Sequence, residues 1–546
     1  MEQAFERFFP YADIRPAQRK AIEFALKAFV EDKRRFVVME LPTGVGKSAI
    51  GVTLGRCLHH IDSELGETSN DYKKGAYFLT TQKILQEQYV KDFGLPGGDM
   101  RQIMSSTNYQ CKYHRRQPCS ESLRLLKLEK DKSSQFYRTC SFSCTYKAEK
   151  RQFLDAPASV TNFSYFLAET MYAGQLTPRE LLVLDEAHNA VTELSSFIEM
   201  SVSEHFAKQV LKLVMPKITT QHQAWKWIEG EYRPKLIVHI KHVEKVIDEL
   251  NIADRLKTDF VNLAKQHEML DKHMCKINRF IELYHDENWS FDITETEGRG
   301  QRRLEFKPID VSGFAEQALF RMGKRVLMMS ATILDHEGFC QMLGLPLDQV
   351  AFLSAPSPFP VDNHPIFAYP VAKMSASTID AELPKMAVAV ESILEQHPDD
   401  KGIIHCNSYK ISKYLREHIK SDRLLFHGSE DRLRRLKEHV ASSRPTVLVS
   451  PSMQEGIDLK DNLSRFQIVC KVPYPYLGDK LVRKRMNKWS WWYSMQTAKT
   501  LVQSLGRSVR SETDHAVSYI LDADWERFFS RNSKLFPQHF KDALKN

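Results

Sequence analysis

The sequence predicts an α/β protein with two parallel-sheet domains, the first carrying two insertions. Three observations predict it. Short apolar, β-branched runs alternate with helical stretches in two sets, a Gly-rich loop directly follows the first run, and a Pro-rich stretch divides the sets. At 546 residues the chain exceeds what one hydrophobic core supports, so two to four domains are expected.

The first set of runs covers residues 36–41, 76–79, 181–184 and 325–329. The second covers 402–405, 446–449, 466–469 and 516–521. Between them lies Ala355-Pro-Ser-Pro-Phe-Pro360. Two segments break the alternation. One, near 100–155, lacks strand runs and carries twelve Lys/Arg against five Asp/Glu over 101–155. The other, near 200–290, reads as helix, with Val243, Val246, Ile247 and Leu250 at helical spacing. The expected division is a first α/β domain of residues 1–100, 156–200 and 300–350, a cysteine-rich insertion at 101–155, a helical insertion at 201–299, and a second α/β domain at 351–546.

Composition excludes little but orients the search. The formal charge of +8 permits a polyanionic partner without requiring one. No run approaches the ~18 apolar residues of a membrane span, and the first residues lack the apolar core of a secretion signal. Four of the nine cysteines (Cys111, Cys119, Cys140 and Cys144) cluster in one short segment, and the other five are isolated. That spread fits a reducing compartment with one local metal site, so a cytoplasmic protein is expected, nucleoid-associated if its source is prokaryotic.

The segment Glu40-Leu-Pro-Thr-Gly-Val-Gly-Lys-Ser48 follows the first strand run and opens a helical stretch, the context of a phosphate-binding loop. Thr43, Gly44, Val45 and Gly46 would turn backbone N–H groups toward phosphates, helped by the dipole of the following helix. Lys47 would reach the β- and γ-phosphates and Ser48 would hold Mg²⁺. Leu41 stands where the strict pattern has glycine. A partner segment, Asp185-Glu-Ala-His188, ends the run at 181–184 and sets two carboxylates at the rim where α/β sheets bind ligands. Asp185 would bind Mg²⁺ through water, and Glu186 would orient and deprotonate an attacking water. Gln503, Arg507 and Arg510 lie at i, i+4 and i+7, so one helix face could cross a cleft and stabilise charge on the γ-phosphoryl group.

Together these residues resemble the XPD/DinG family of superfamily 2 DNA helicases, of the DEAH-box type. Arg15-Pro-Ala-Gln18 resembles its R-x-x-Q element near the adenine, and residues 80–88 resemble motif Ia. Asn162-Phe-Ser-Tyr-Phe166 resembles the segment before the DEAH box, and Ser330-Ala-Thr332 resembles motif III. His405-Cys-Asn-Ser-Tyr409, Gln454-Glu-Gly-Ile-Asp458 and Val472-Pro-Tyr-Pro475 follow at the places of motifs IV and V and the family's V-P-F/Y-P, with Gly456 and Asp458 at the nucleotide in motif V. Residues 503–510 match motif VI.

The resemblance implies two RecA-like domains with ATP and Mg²⁺ between them, and a monomeric motor moving 5′→3′ on single-stranded DNA and unwinding forked duplex in repair or replication. It implies a 4Fe–4S cluster on Cys111, Cys119, Cys140 and Cys144, although four thiolates suit zinc equally well. It places an Arch domain at the helical insertion. Tyr109, Tyr113, Phe136, Tyr137, Phe142 and Tyr146 interleave with the basic residues of the cysteine insertion and could stack on unpaired bases. The basic, Trp-rich segment 480–493 is balanced between core packing and strand contact. RNA as the strand, translocation without unwinding, or a silent scaffold are the competing readings.

Overall fold

The computed structural model describes residues 5–545, apart from 116, 130, 251–257, 297–300, 429, 453–458, 507 and 510–512. Its strands in chain order are β1 (Phe36–Glu40), β2 (Lys73–Thr80), β3 (Met100–Gln102), β4 (Ala158–Asn162), β5 (Arg179–Asp185), β6 (Met200–Ser203), β7 (Trp289–Thr296), β8 (Gln301–Pro308), β9 (Gly323–Ser330) and β10 (Val350–Ser354). The second half adds β11 (Ile366–Ala372), β12 (Gly402–His405), β13 (Leu424–Phe426), β14 (Val447–Ser450), β15 (Phe466–Val469), β16 (Val517–Asp522) and β17 (Leu544–Lys545).

Two seven-stranded sheets form, in the orders β10-β1-β9-β5-β2-β4-β3 and β13-β14-β12-β15-β16-β11-β17. Every pairing within them is parallel. Strands covered on both faces must be apolar along their whole length, which is why β1 and β5 are buried at every residue. All eight expected strand runs appear as strands. Parallel strands also align their carboxyl ends, so the segments after β1, β2, β5 and β9 meet along one rim.

The chain departs from expectation in three places. Residues 289–296 and 301–308 are not helical: β6, β8 and β7 make a separate antiparallel sheet. Trp289, Phe291 and Ile293 alternate with polar residues, as do Leu304 and Phe306, and a period of two buries one face of a hairpin. The return to the first α/β unit therefore comes after Pro308 rather than at 300. The helices Arg233–Glu249 and Thr258–Leu283 pack on each other within this insertion, as its helical spacing predicts. Finally, β10 pairs with β1, so the second unit begins in the Pro-rich stretch rather than at 351.

The end of the cysteine insertion is tied to the first sheet by Arg179, whose side chain is fully buried. Its guanidinium donates to the carbonyls of Ala156 (2.6 Å), Pro157 (3.0 Å) and Leu154 (3.0 Å) and stacks 4.4 Å from the Tyr77 ring centroid. Carbonyl oxygens satisfy both of its Nη groups, while its buried Nε has no partner among the described residues.

The helix Lys480–Lys488 extends from the second unit and docks onto the insertion sheet of the first. Lys484 donates to the Trp289 carbonyl (2.7 Å), and Lys488 pairs with Asp310 (2.6 Å). Arg485 donates to the carbonyls of Ile309 and Pro308 and to the Ser195 hydroxyl at 3.0–3.1 Å, and burial lowers its pKa to about 10. Trp489 and Trp492 pack with Met342 and Met495 in a buried cluster. This segment's cations and tryptophans thus join the two units, and core packing is the outcome of the two readings of residues 480–493. Arg485→Ala leaves two buried carbonyls unpaired, so it should lower stability by about 2–3 kcal/mol. A melting profile equal to that of the parent protein would show that this docking contributes nothing.

Candidate active site

A cleft of about 980 Å³ lies between the two units at the aligned strand ends. Pro42, Thr43 and Glu186 line one wall, and Gln503, Leu505 and Gly506 line the other.

The loop after β1 turns through Gly44 (φ 82°) and Gly46 (φ 87°), left-handed positions that favour glycine. Both also lack room for a side chain. A Cβ at Gly44 would stand 2.3 Å from the Phe359 ring, and one at Gly46 would stand 2.4 Å from Gln18 Nε2. The helix Lys47–Glu64 starts at once, aiming its N-terminus at the cleft.

Arg15 and Gln18 brace this loop. Arg15 Nη1 donates to the Gly44 carbonyl at 2.8 Å, and the Arg15 N–H donates to Gln18 Oε1 at 3.0 Å, capping the helix Pro16–Leu26. Glu40, the last residue of β1, is buried, and burial raises its pKa. It accepts the backbone N–H groups of Ile333 (2.9 Å) and Leu334 (2.7 Å), fixing the turn after Ser330-Ala-Thr332.

β5 delivers the two acids. Asp185 is buried; its Oδ1 accepts the Glu186 N–H (3.0 Å), and its Oδ2 accepts the Tyr89 hydroxyl (2.8 Å) and lies 3.4 Å from Ser48 Oγ. Burial raises its pKa, the Glu186 charge adds to this, and Lys47 opposes it. Glu186 takes a left-handed backbone (φ 52°), which swings its carboxylate into the cleft 3.7 Å from Lys47 Nζ. Ser48, Asp185 and Lys47 thus gather a hydroxyl, a carboxylate and an ammonium around one point. A hydroxyl beside a buried carboxylate fits Mg²⁺, a hard cation that keeps several waters.

The two walls are wired together through Ser330-Ala-Thr332. The Ser330 hydroxyl contacts His188 Nδ1 at 2.7 Å, and Gln503 Nε2 donates to Thr332 Oγ1 at 3.1 Å. Lys499, one turn before Gln503, donates to the His188 carbonyl at 3.1 Å. Gln503 lines the cleft across from Glu186. Arg507, Arg510, Gly456 and Asp458 lie outside the described residues. Glu40, Tyr89, Phe359 and Lys499 were not signalled by the motifs. Each sits within or beside a recognised segment, but its role depends on a partner distant in sequence.

In the cysteine insertion, Cys111, Cys119, Cys140 and Cys144 are all buried, and none forms a disulfide. Cys119 and Cys144 sulfurs are 3.5 Å apart. Burial pushes the Cys140 thiol up to about 12 and raises that of Cys119 too, the neighbouring cysteines adding to both. Thiols raised in this way stay protonated, and only a bound cation would draw off their protons. Cys111 Sγ accepts the His114 N–H (3.2 Å) and lies 3.0 Å from the Ser122 hydroxyl, contacts of the kind that surround metal-bound thiolates. Among the described residues, however, no group of three or more Cys, His, Asp or Glu is already arranged to hold a metal ion. Of the seven aromatics in this insertion only Phe142 is exposed, at 81%; the others, Phe153 among them, pack wholly or partly inside.

Comparison with known proteins agrees with this geometry. Residues 12–218 match the family described as type III restriction enzyme, res subunit, and residues 390–543 match the helicase C-terminal domain. The ATP-dependent DNA helicase DinG of Photobacterium profundum is 24% identical over 250 residues, covering 41% of this chain and 35% of that relative. DinG of Salmonella typhimurium is 22% identical over 512 residues, covering 77% and 70%. The chain thus aligns with about a third of the first relative's length and 70% of the second's. Among solved structures, an XPD helicase superposes with a TM-score of 0.63 at 16% identity over 96% of this chain and 98% of its own. Xpd4 of S. tokodaii gives 0.58 at 15% identity over 97% and 99%, and at such identities the likeness establishes the fold. No described helix is long and apolar enough to cross a membrane. With two parallel sheets facing one cleft and an acid pair at the rim, the chain is similar in sequence to DinG helicases and shares the fold of XPD helicases.

Proposed function

We propose that this protein is an ATP-dependent DNA helicase that translocates 5′→3′ on single-stranded DNA, separates forked duplex, and serves repair or replication as a monomer. One observation carries the motor reading: the bonded path from Glu186 and His188 through Ser330 and Thr332 to Gln503 and Lys499. That path joins the acid that would activate water to the opposite wall, so a change at the γ-phosphate alters contacts between the units. The choice of DNA is supported by the DinG relatives, and the polarity by the family resemblance.

In this reading the loop around Gly44 and Gly46 binds the phosphates and Lys47 pairs with the β- and γ-oxygens. Glu186 takes the proton of the attacking water. Arg507 and Arg510 supply charge to the transition state. Mg²⁺, held by Ser48 and Asp185, neutralises phosphate charge when bound. A 4Fe–4S cluster on Cys111, Cys119, Cys140 and Cys144 would staple the insertion into a rigid body. Phe142, exposed between Cys140 and Cys144, is the ring placed to meet an unpaired base.

Lys47→Ala should abolish ATP turnover, and Glu186→Gln should lower it by about 10²–10⁴-fold with nucleotide binding intact; undiminished turnover in Glu186→Gln would remove the general-base assignment. Protein purified anaerobically should contain iron and absorb near roughly 400 nm, where thiolate–iron charge transfer appears. Stoichiometric zinc without iron would replace the cluster with a Cys₄ zinc site. In strand-displacement assays, 5′-tailed DNA should be unwound and 3′-tailed DNA should not. Unwinding confined to 3′-tailed RNA would overturn both the substrate and the polarity.

A further inference from the structure

Tyr89 belongs to none of the nucleotide-binding motifs, yet it touches their metal-binding end. It lies on the helix Lys83–Phe93, whose opening residues Gln82 and Leu85 reach the cleft. Its ring is buried, with centroids 5.6 Å from Phe78 and 5.6 Å from Phe93. In that apolar setting a leucine or phenylalanine would fill the same space. The hydroxyl therefore needs a partner to be tolerated, and its partner is Asp185 Oδ2 at 2.8 Å. A tyrosine hydroxyl carries its proton at neutral pH, so it acts here as the donor.

The other contacts of Asp185 leave this one the decisive role. The Glu186 N–H anchors Oδ1 only. The Ser48 hydroxyl donates to Oδ2 from 3.4 Å, a longer and weaker contact than the 2.8 Å of Tyr89, and its lone pairs remain for the cation. Rotation of the carboxylate about its Cβ–Cγ bond is then stopped by the Tyr89 hydroxyl. We infer that Tyr89 is a positioning residue, which holds Asp185 in the orientation that binds Mg²⁺ together with Ser48. The inference rests on reading this cleft as a Mg²⁺–ATP site.

Tyr89→Phe keeps the ring and removes only the hydroxyl, so it separates positioning from packing; Tyr89→Leu removes both. Mn²⁺ binding to the full-length protein with bound ADP, followed by electron paramagnetic resonance, reads the metal site without turnover. Loss of a hydrogen bond to a charged group should weaken Mn²⁺ binding about tenfold in both variants, and raise the Mg²⁺ concentration for half-maximal ATP turnover alike. The melting temperature of Tyr89→Phe should match that of the parent. Parent-like Mn²⁺ affinity in Tyr89→Phe would overturn the inference, leaving the ring as a packing element. Failure of the parent protein's ADP complex to bind Mn²⁺ would instead bring down the Mg²⁺–ATP reading, and this inference with it.

Discussion

Two adjacent carboxylates at the end of a buried strand are the constraint around which this molecule is organised. Asp185 and Glu186 would repel each other in a low-dielectric rim if left alone. The fold answers with a charge and several dipoles: the Lys47 ammonium, the Tyr89 hydroxyl, the Ser48 hydroxyl and the Glu186 N–H. Each comes from a segment that must reach the rim, which fixes the order of β1, β9, β5 and β2 side by side. The arrangement suits a phosphate-bearing ligand accompanied by a divalent cation, because that cation would offset the buried Asp185 charge.

The second wall answers to the first through short polar side chains. Thr332 and Ser330 have little reach of their own, so a small shift at either end breaks or remakes a bond. Glu40 makes the turn that carries them rigid by accepting two consecutive N–H groups. Rigid turns with few alternative arrangements transmit displacement instead of absorbing it.

Much of this was legible in the residues. Full-length apolar runs located the strands of both sheets, since burial on two faces leaves no other composition. The Gly-Val-Gly-Lys-Ser and Asp-Glu-Ala-His segments pointed to one rim, and the structure sets Lys47 and Glu186 3.7 Å apart there. What escaped was set by tertiary partners. The hairpin of Trp289–Thr296 and Gln301–Pro308 was hidden behind neighbouring helical periodicity. The cationic face of the helix Lys480–Lys488 looks the same in sequence whether it meets phosphates or backbone carbonyls, and only the fold supplies Ile309 and Pro308 as acceptors. Tyr89 and Phe359 read as ordinary apolar residues until the surfaces they cover are known.

Arg179 gives the fold a mechanical property beyond its stability. It opens the same strand, β5, that Asp185 closes, some 20 Å away at the usual rise of an extended chain. At its own end it grips Leu154, Ala156 and Pro157, where the chain leaves the cysteine insertion. A pull on that insertion by a taut strand is therefore delivered lengthwise to β5. A strand is stiffest along its length, and its hydrogen-bonded neighbours β2 and β9 would have to shear before it could slide. The insertion and the acid pair are opposite ends of one stiff rod, so tension on the insertion arrives at Asp185 and Glu186.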